Sequence, residues 1–248
     1  MSVKIELSGG KKLYLWNSGY FKTYVKIKGI PRSIEVMIQD TPDKNGSPGE
    51  WALYSAKHDY PPTGEKVFPK ELYLQIPASH KITFDFLGWN EAVKIVSEAM
   101  LQFLNEQGLT EGYELGSLTV VSKKEEVIET EKKYFALRFF RFDEDLLDFG
   151  NREEVEVKNS ADENRKIALY PNMRIKEGVD KKIFVLDDFD YYHTFNQSLI
   201  FTEEIKVLIE ERKFVACKIY AMDELHKAIV PEKKVYPVFP KRIKSEKH

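Results

Sequence analysis

Two clusters of carboxylates are the residues in this sequence whose type and spacing could do chemistry. In the first, Asp143-Glu144-Asp145 with Asp148, several acids fall close enough to gather a hard cation, since Mg²⁺ and Ca²⁺ favour multiple carboxylate oxygens. The alternating acids, turn glycine and distal glutamate of an EF-hand loop are missing. Followed by Glu156-Val157-Lys158, however, Asp143 and Asp145 could serve a metal-dependent nuclease, with Asp143, Asp145 and Glu156 holding the ion and Lys158 polarising water. Glu-x-Lys is common in any charged chain, so this reading stands as an alternative only. The second cluster, Asp187-Asp188-Phe189-Asp190-Tyr191-Tyr192-His193, interleaves acids with rings. Rings supply contact area at low entropy cost while carboxylates steer a basic partner, so Asp187, Asp188, Asp190, Tyr191 and Tyr192 are candidate partner contacts. The same run reads equally as the exit of a strand with half-buried rings.

Other reactive arrangements fail on spacing. Gly108, Gly112 and Gly116 have three residues between each pair and no Gly-Lys-Ser/Thr after them, so no phosphate or dinucleotide fingerprint exists. There is no Gly-x-Ser-x-Gly elbow. His58, His80, His193, His226 and His248 are scattered, and none pairs at helical spacing around a glutamate as a zinc hydrolase of that type requires. Cys217, the single cysteine, lies between Ala216 and Lys218 and reads as a small buried thiol; alone it forms no internal disulfide. No cofactor or metal is expected.

These groups must be carried by a folded scaffold, and composition provides one. The 248 residues are 42% hydrophobic and 31% charged with a formal net charge of −2, which suits a globular core rather than disorder. No apolar run approaches the ~20 residues of a membrane helix, and Glu6 interrupts the start where a secretion signal would be apolar. A reducing, cytoplasmic setting is expected.

Lys22–Lys28 and Ser33–Val36 alternate polar and apolar residues, the period of strands, and the first 80 residues read as strand. Between Asp40 and Pro69, four prolines and three glycines predict a long surface excursion, tacked down by Trp51 and Tyr54. Asn90 to Gln107 shows helical spacing, with Ser97 as a cap and Gly108 as a left-handed stop. Strands are expected at Tyr113–Leu115, Leu118–Val121, Tyr134–Phe142, Glu154–Lys158, Ile167–Tyr170, Ile183–Leu186 and Phe214–Met222, and Thr202 opens a second amphipathic helix. A shift of 105 residues lays Ile95-Val96-Ser97-Glu98 over Ile200-Phe201-Thr202-Glu203 and Met100 over Ile205. The expected class is therefore α+β: a mainly antiparallel sheet with a few short amphipathic helices and two similar halves. The halves would be 1–130, strand-rich with one helix, and 131–248, ending in a basic tail, or the two would run on as one continuous domain. The tail from Pro231 carries +4 and leaves −6 on the body. A solvated tail fits better than a nucleic-acid patch, and no membrane or direct nucleic-acid binding is expected.

Several blocks together resemble a known family. They are Ile82–Leu87, the helix opener Val96-Ser97-Glu98 with its stop at Gly108, Lys133–Phe139 with Phe142-Asp143, and the late Ile183–Leu186 with Leu199–Ile205. From about Leu72 to Leu225 the chain is similar to bacterial polymorphic-toxin immunity proteins, in particular the families numbered eleven and forty-three. It departs from them where Lys213-Phe214-Val215-Ala216 replaces a glycine turn. The resemblance implies a non-catalytic protein that binds and blocks a cognate toxin domain. Two other classes stay open on the residues alone: the nuclease above, and a scaffold or oligomerisation module without a toxin.

Overall fold

The computed structural model describes residues 12–17, 37–42, 48–76, 81–88, 93–158, 164–187, 198–215 and 218–225. Lys22–Lys28, Ser33–Val36, Cys217 and the basic tail lie outside them. Six strands form the larger sheet: β2 (Met37–Gln39), β3 (Glu71–Ile76), β4 (Phe86–Gly88), β5 (Val93–Ser97), β6 (Tyr113–Ser122) and β7 (Tyr134–Phe139). Their spatial order is β2-β3-β6-β7-β5-β4, antiparallel throughout except for the parallel pair β3–β6. A second, wholly antiparallel sheet has the order β12-β13-β1-β14, from β1 (Leu13–Asn17), β12 (Ile183–Leu186), β13 (Ser198–Thr202) and β14 (Lys218–Ala221). Two small hairpin-like pairs complete the strands, β8 (Leu147–Asp148) with β11 (Arg174–Ile175), and β9 (Glu153–Lys158) with β10 (Asn164–Leu169). The molecule is thus α+β and mainly antiparallel, as the alternation in the sequence requires.

Two nine-residue helices, α2 (Glu98–Glu106) and α3 (Glu203–Glu211), follow β5 and β13 without a loop; a single turn, α1 (Ala56–Asp59), lies earlier. Helical spacing over Asn90–Gln107 overran: Val93 to Ser97 is a fully buried strand, Lys94 and Ser97 included, and a segment buried on both faces shows no consistent two-residue alternation to separate it from a helix. Ser97 does cap α2, its Oγ accepting from the Met100 N–H at 3.2 Å, and Gly108 does end it with φ +95°. Helix α2 lies on β5 and β7, and α3 on β13 and β1. Met100, Phe103 and Leu104 from one helix and Ile205 and Ile209 from the other meet in a single core that also holds Trp16, Phe86 and Phe201. Trp16 of the smaller sheet stacks on Phe86 of the larger (centroids 4.3 Å apart), so one apolar layer serves both sheets.

The outer face of each sheet is covered by a loop-rich segment. Trp51 and Phe68 cover the larger sheet over Leu72, Leu74, Ile95 and Tyr134. Leu147, Leu169 and Met173 cover the smaller sheet over Leu15, Phe184 and Ile200.

The 105-residue relationship has a structural counterpart. Strand–helix boundaries recur at that offset, and in each case the returning strand lies two places away with an antiparallel strand between: β4-β5-β7-β6 and β12-β13-β1-β14. The inserted strand follows its unit in one case and comes from the start of the chain in the other. The six-stranded sheet also has β2 and β3, for which the smaller has no equivalent among the described residues.

Candidate interaction surface

The first carboxylate cluster is divided by a 3₁₀ turn, Glu144–Leu146. Asp143 is buried, with 4% of its surface exposed. Both of its carboxylate oxygens accept from Lys181 Nζ at 2.7 Å, and Oδ2 also accepts from the Val185 N–H at 2.8 Å. Its own N–H donates to the Val185 carbonyl, so Asp143 continues the edge of β12. Glu144 turns beside it and accepts from the Asp187 N–H; burial, with smaller contributions from the Asp187 and Asp143 charges, pushes its carboxyl above the usual range. Asp145 instead faces solvent. Of the four residues that the nuclease reading needs, Asp143 is committed inward to Lys181 while Asp145 points out, because a turn separates neighbouring side chains. Among the described residues no three His, Cys, Asp or Glu side chains could together hold a metal ion. The side chains of Glu156 and Lys158 lie outside the described residues.

Of the acidic–aromatic run, Asp187 is half-buried at the exit of β12. Asp188, Asp190, Tyr191 and Tyr192 lie outside the described residues. Nearby, the seam between the sheets opens as a cleft of about 510 Å³ walled by Glu106, Glu111, Arg141, Asp180, Lys181 and Lys182. Its charges are mostly answered within the molecule: Arg141 by Glu111, Lys181 by Asp143, Lys182 by Glu204 and Glu106 by Arg212.

The excursion predicted between Asp40 and Pro69 is present from residue 48 as a lid of short turns, and Trp51 and Tyr54 are buried under it at 1% and 3% exposure. Trp51 Nε1 also donates to Asp40. What fastens the lid is Arg138, which sequence reasoning missed. Strand β7 turns Tyr134, Ala136 and Arg138 to the lid side, and Arg138 has no exposed surface. Its Nε donates to Glu114 at 2.7 Å, Nη1 to the Trp51 carbonyl at 2.7 Å and Nη2 to the Lys66 carbonyl at 2.9 Å. The guanidinium lies 4.0 Å above the Tyr54 ring and 4.8 Å from that of Phe68. Five fixed N–H donors let one arginine join strand and lid, as no lysine could. The available signal was a cation at an inward position of an otherwise apolar strand, Phe135-Ala136-Leu137-Arg138-Phe139. Tyr54, its ring against that cation, has a buried hydroxyl with no hydrogen-bond partner among the described residues, and burial pushes it up to about 12.

Asp85 performs a similar joining role at the other end of the larger sheet. Its Oδ1 accepts from Ser97 Oγ at 2.6 Å and Lys132 Nζ at 2.8 Å, and its Oδ2 from the Val215 N–H at 2.8 Å. The capping serine, the strand before it and the segment after α3 are thereby tied to one carboxylate. These buried charges organise the scaffold.

No curated protein matches this chain. The model of one protein family, described as Immunity protein 43, matches residues 23–230. That span is wider than the Leu72–Leu225 region of resemblance and takes in most of the first 70 residues, which carry few of the motifs legible by eye. With more than four-fifths of its length matched, the chain belongs to the Immunity protein 43 family.

Proposed function

We propose that this protein neutralises a cognate toxin domain of a bacterial polymorphic toxin system by binding and covering it in the cytoplasm, without catalysis or cofactor. The family match over residues 23–230 carries this reading. Protection of this kind needs affinity rather than turnover, and an interface of about 1,600 Å² can reach tight binding when ring anchors lie at its centre. The body without its tail carries −6, which favours a cationic toxin through faster encounter. Asp187, Asp188, Asp190, Tyr191 and Tyr192 are the proposed contacts, the densest acidic and aromatic run in the chain. The recurrent strand–helix unit supports a further element of the reading, that the two halves arose from one ancestral unit.

The test is co-expression of the chain with the toxic domain encoded beside it, read as growth, together with the affinity of the purified pair. Growth rescue and a stable complex are expected. Killing that persists despite equal expression refutes neutralisation. Charge reversal at Asp187 and Asp188 that leaves affinity unchanged refutes those contacts specifically.

A further inference from the structure

The lid exposes several large apolar side chains on its outer surface. Leu53, Tyr60 and Val67 are exposed at 73%, 56% and 50%, and all three fall within fifteen residues of one another in the chain. Isolated exposed apolar residues are ordinary, whereas a group of them on one covering segment is not. The same segment also frames a hollow of about 520 Å³ lined by Glu50, Asp59, Thr63, Glu65 and Lys66. Leu53 shares a 3₁₀ turn with Glu50, Tyr60 follows Asp59, and Val67 follows Lys66. Tyr60 is also fixed, one ring face stacked on Phe140 with centroids 5.0 Å apart.

The charge of the hollow is one-sided. Lys66 Nζ is bound to Asp59 at 2.6 Å, and that bond, reinforced by the Ser55 N–H, holds Asp59 below the usual carboxylate range. Glu50 and Glu65 are exposed and have no cation paired with them among the described residues. Among the described residues the buried Tyr54 hydroxyl has no partner, and it lies near enough to Asp59 and Tyr60 to feel their charge. The backbone is also preorganised, since Arg138 grips the carbonyls of Trp51 and Lys66 in the two turns that frame the hollow. A surface held in place before contact loses little conformational entropy on binding.

We infer that the lid, through Leu53, Tyr60, Val67, Glu50 and Glu65, is a docking surface for a cationic protein partner, an arginine or lysine head entering the acidic hollow while apolar neighbours cover the patch. It rests on the reading that this chain acts by binding a toxin, and it adds residues 50–67 to the contacts proposed above. Amphipathic cations fit it because their stems need apolar cover and their heads need unpaired carboxylates.

The experiment uses the full chain, with Leu53→Ser/Val67→Ser and Glu50→Lys/Glu65→Lys as paired variants, all at exposed sites, and the adjacent-gene toxin domain as the probe. The inference expects each pair to weaken binding by about 30-fold or more, the scale of a hot-spot loss, with melting temperatures unchanged. The charge pair should act mainly on association and lose its effect at high salt. Binding unchanged within twofold in both variants overturns the docking surface while leaving neutralisation intact. If the wild-type chain does not bind the toxin domain, the functional reading fails. The lid is then judged by hydrogen exchange with a short arginine–leucine peptide: protection of residues 50–67 in wild type but not in Glu50→Lys/Glu65→Lys sustains it, and no protection overturns it. Dimerisation abolished by Leu53→Ser/Val67→Ser reassigns the patch to a second copy and likewise overturns it.

Discussion

Arg138 carries its charge where no water reaches it, and its Nε, Nη1 and Nη2 each donate to an oxygen. Burial lowers its tendency to stay protonated and Glu114 opposes that drop, an arrangement costly to break from either side. Arg138→Ala should therefore destabilise the fold by about 3–5 kcal/mol, measured by urea unfolding, with the lid exchanging hydrogens before the sheets do. Tyr54 behaves differently. Its hydroxyl has no partner to lose, so Tyr54→Phe should change neutral-pH stability by no more than about 1 kcal/mol. Because the folded-state value is raised from 10 to about 12, the folded form retains a proton that the unfolded form loses, and wild-type stability falls as pH climbs from 10 toward 12. The Phe variant should lack that part of the alkaline loss. Glu144 gives the acid-side analogue: burial raises it above its ordinary 4.5, so the folded state binds more protons there and stability declines as pH rises through that window. Glu144→Gln keeps an acceptor for the Asp187 N–H, and it should exceed wild type at pH 7 and match it below 4.5 in the same unfolding assay.

At the scale of elements, the two helices open alike and are capped unequally. Ser97 accepts from the Met100 N–H and donates to Asp85, while Thr202 makes no capping bond and its buried hydroxyl has no partner among the described residues. Ser97→Ala should cost about 1–2 kcal/mol, and Thr202→Val should be near neutral, a contrast readable by thermal melting of the two variants. Among the glycines, Gly116 in β6 is required by proximity rather than by dihedral angle: a Cβ there would come within 2.6 Å of the Pro69 carbonyl, where the lid descends onto the sheet. Gly112 combines both constraints, with φ +84° and Arg141 Cβ at 3.1 Å from an added methyl.

For the whole molecule, the decisive arrangement is the placement of β1 between β13 and β14, strands nearly two hundred residues away. Leu13 and Leu15 face the outer core of the smaller sheet, and Tyr14 and Trp16 the layer shared with the larger one. Removing residues 1–17 would leave two facing strands without a ladder and the shared layer without Trp16. The shortened chain should lose cooperative unfolding, seen as a broadened transition by circular dichroism, rather than retain a stable larger sheet alone. Charge pairs tie the layers together, the buried Arg138 on one side and Asp143 with the part-exposed Lys181 on the other.

Local pattern was enough to place much of this. Alternation located β9, an uninterrupted apolar run the buried β12, a hydroxyl before Glu marked both helix starts, and Gly108 marked the stop of α2, because each depends on forces acting within a few residues. The family was legible for the same reason, from the blocks around those elements. Only the tertiary structure decided that Val93–Ser97 is strand, since burial on both faces erases the period that distinguishes it from helix. It also decided that Asp143 turns inward to Lys181 and Arg138 to the lid, and that β1 completes a distant sheet. A charge's partner, like a strand's neighbour, is chosen by three-dimensional proximity, and no spacing along the chain encodes it.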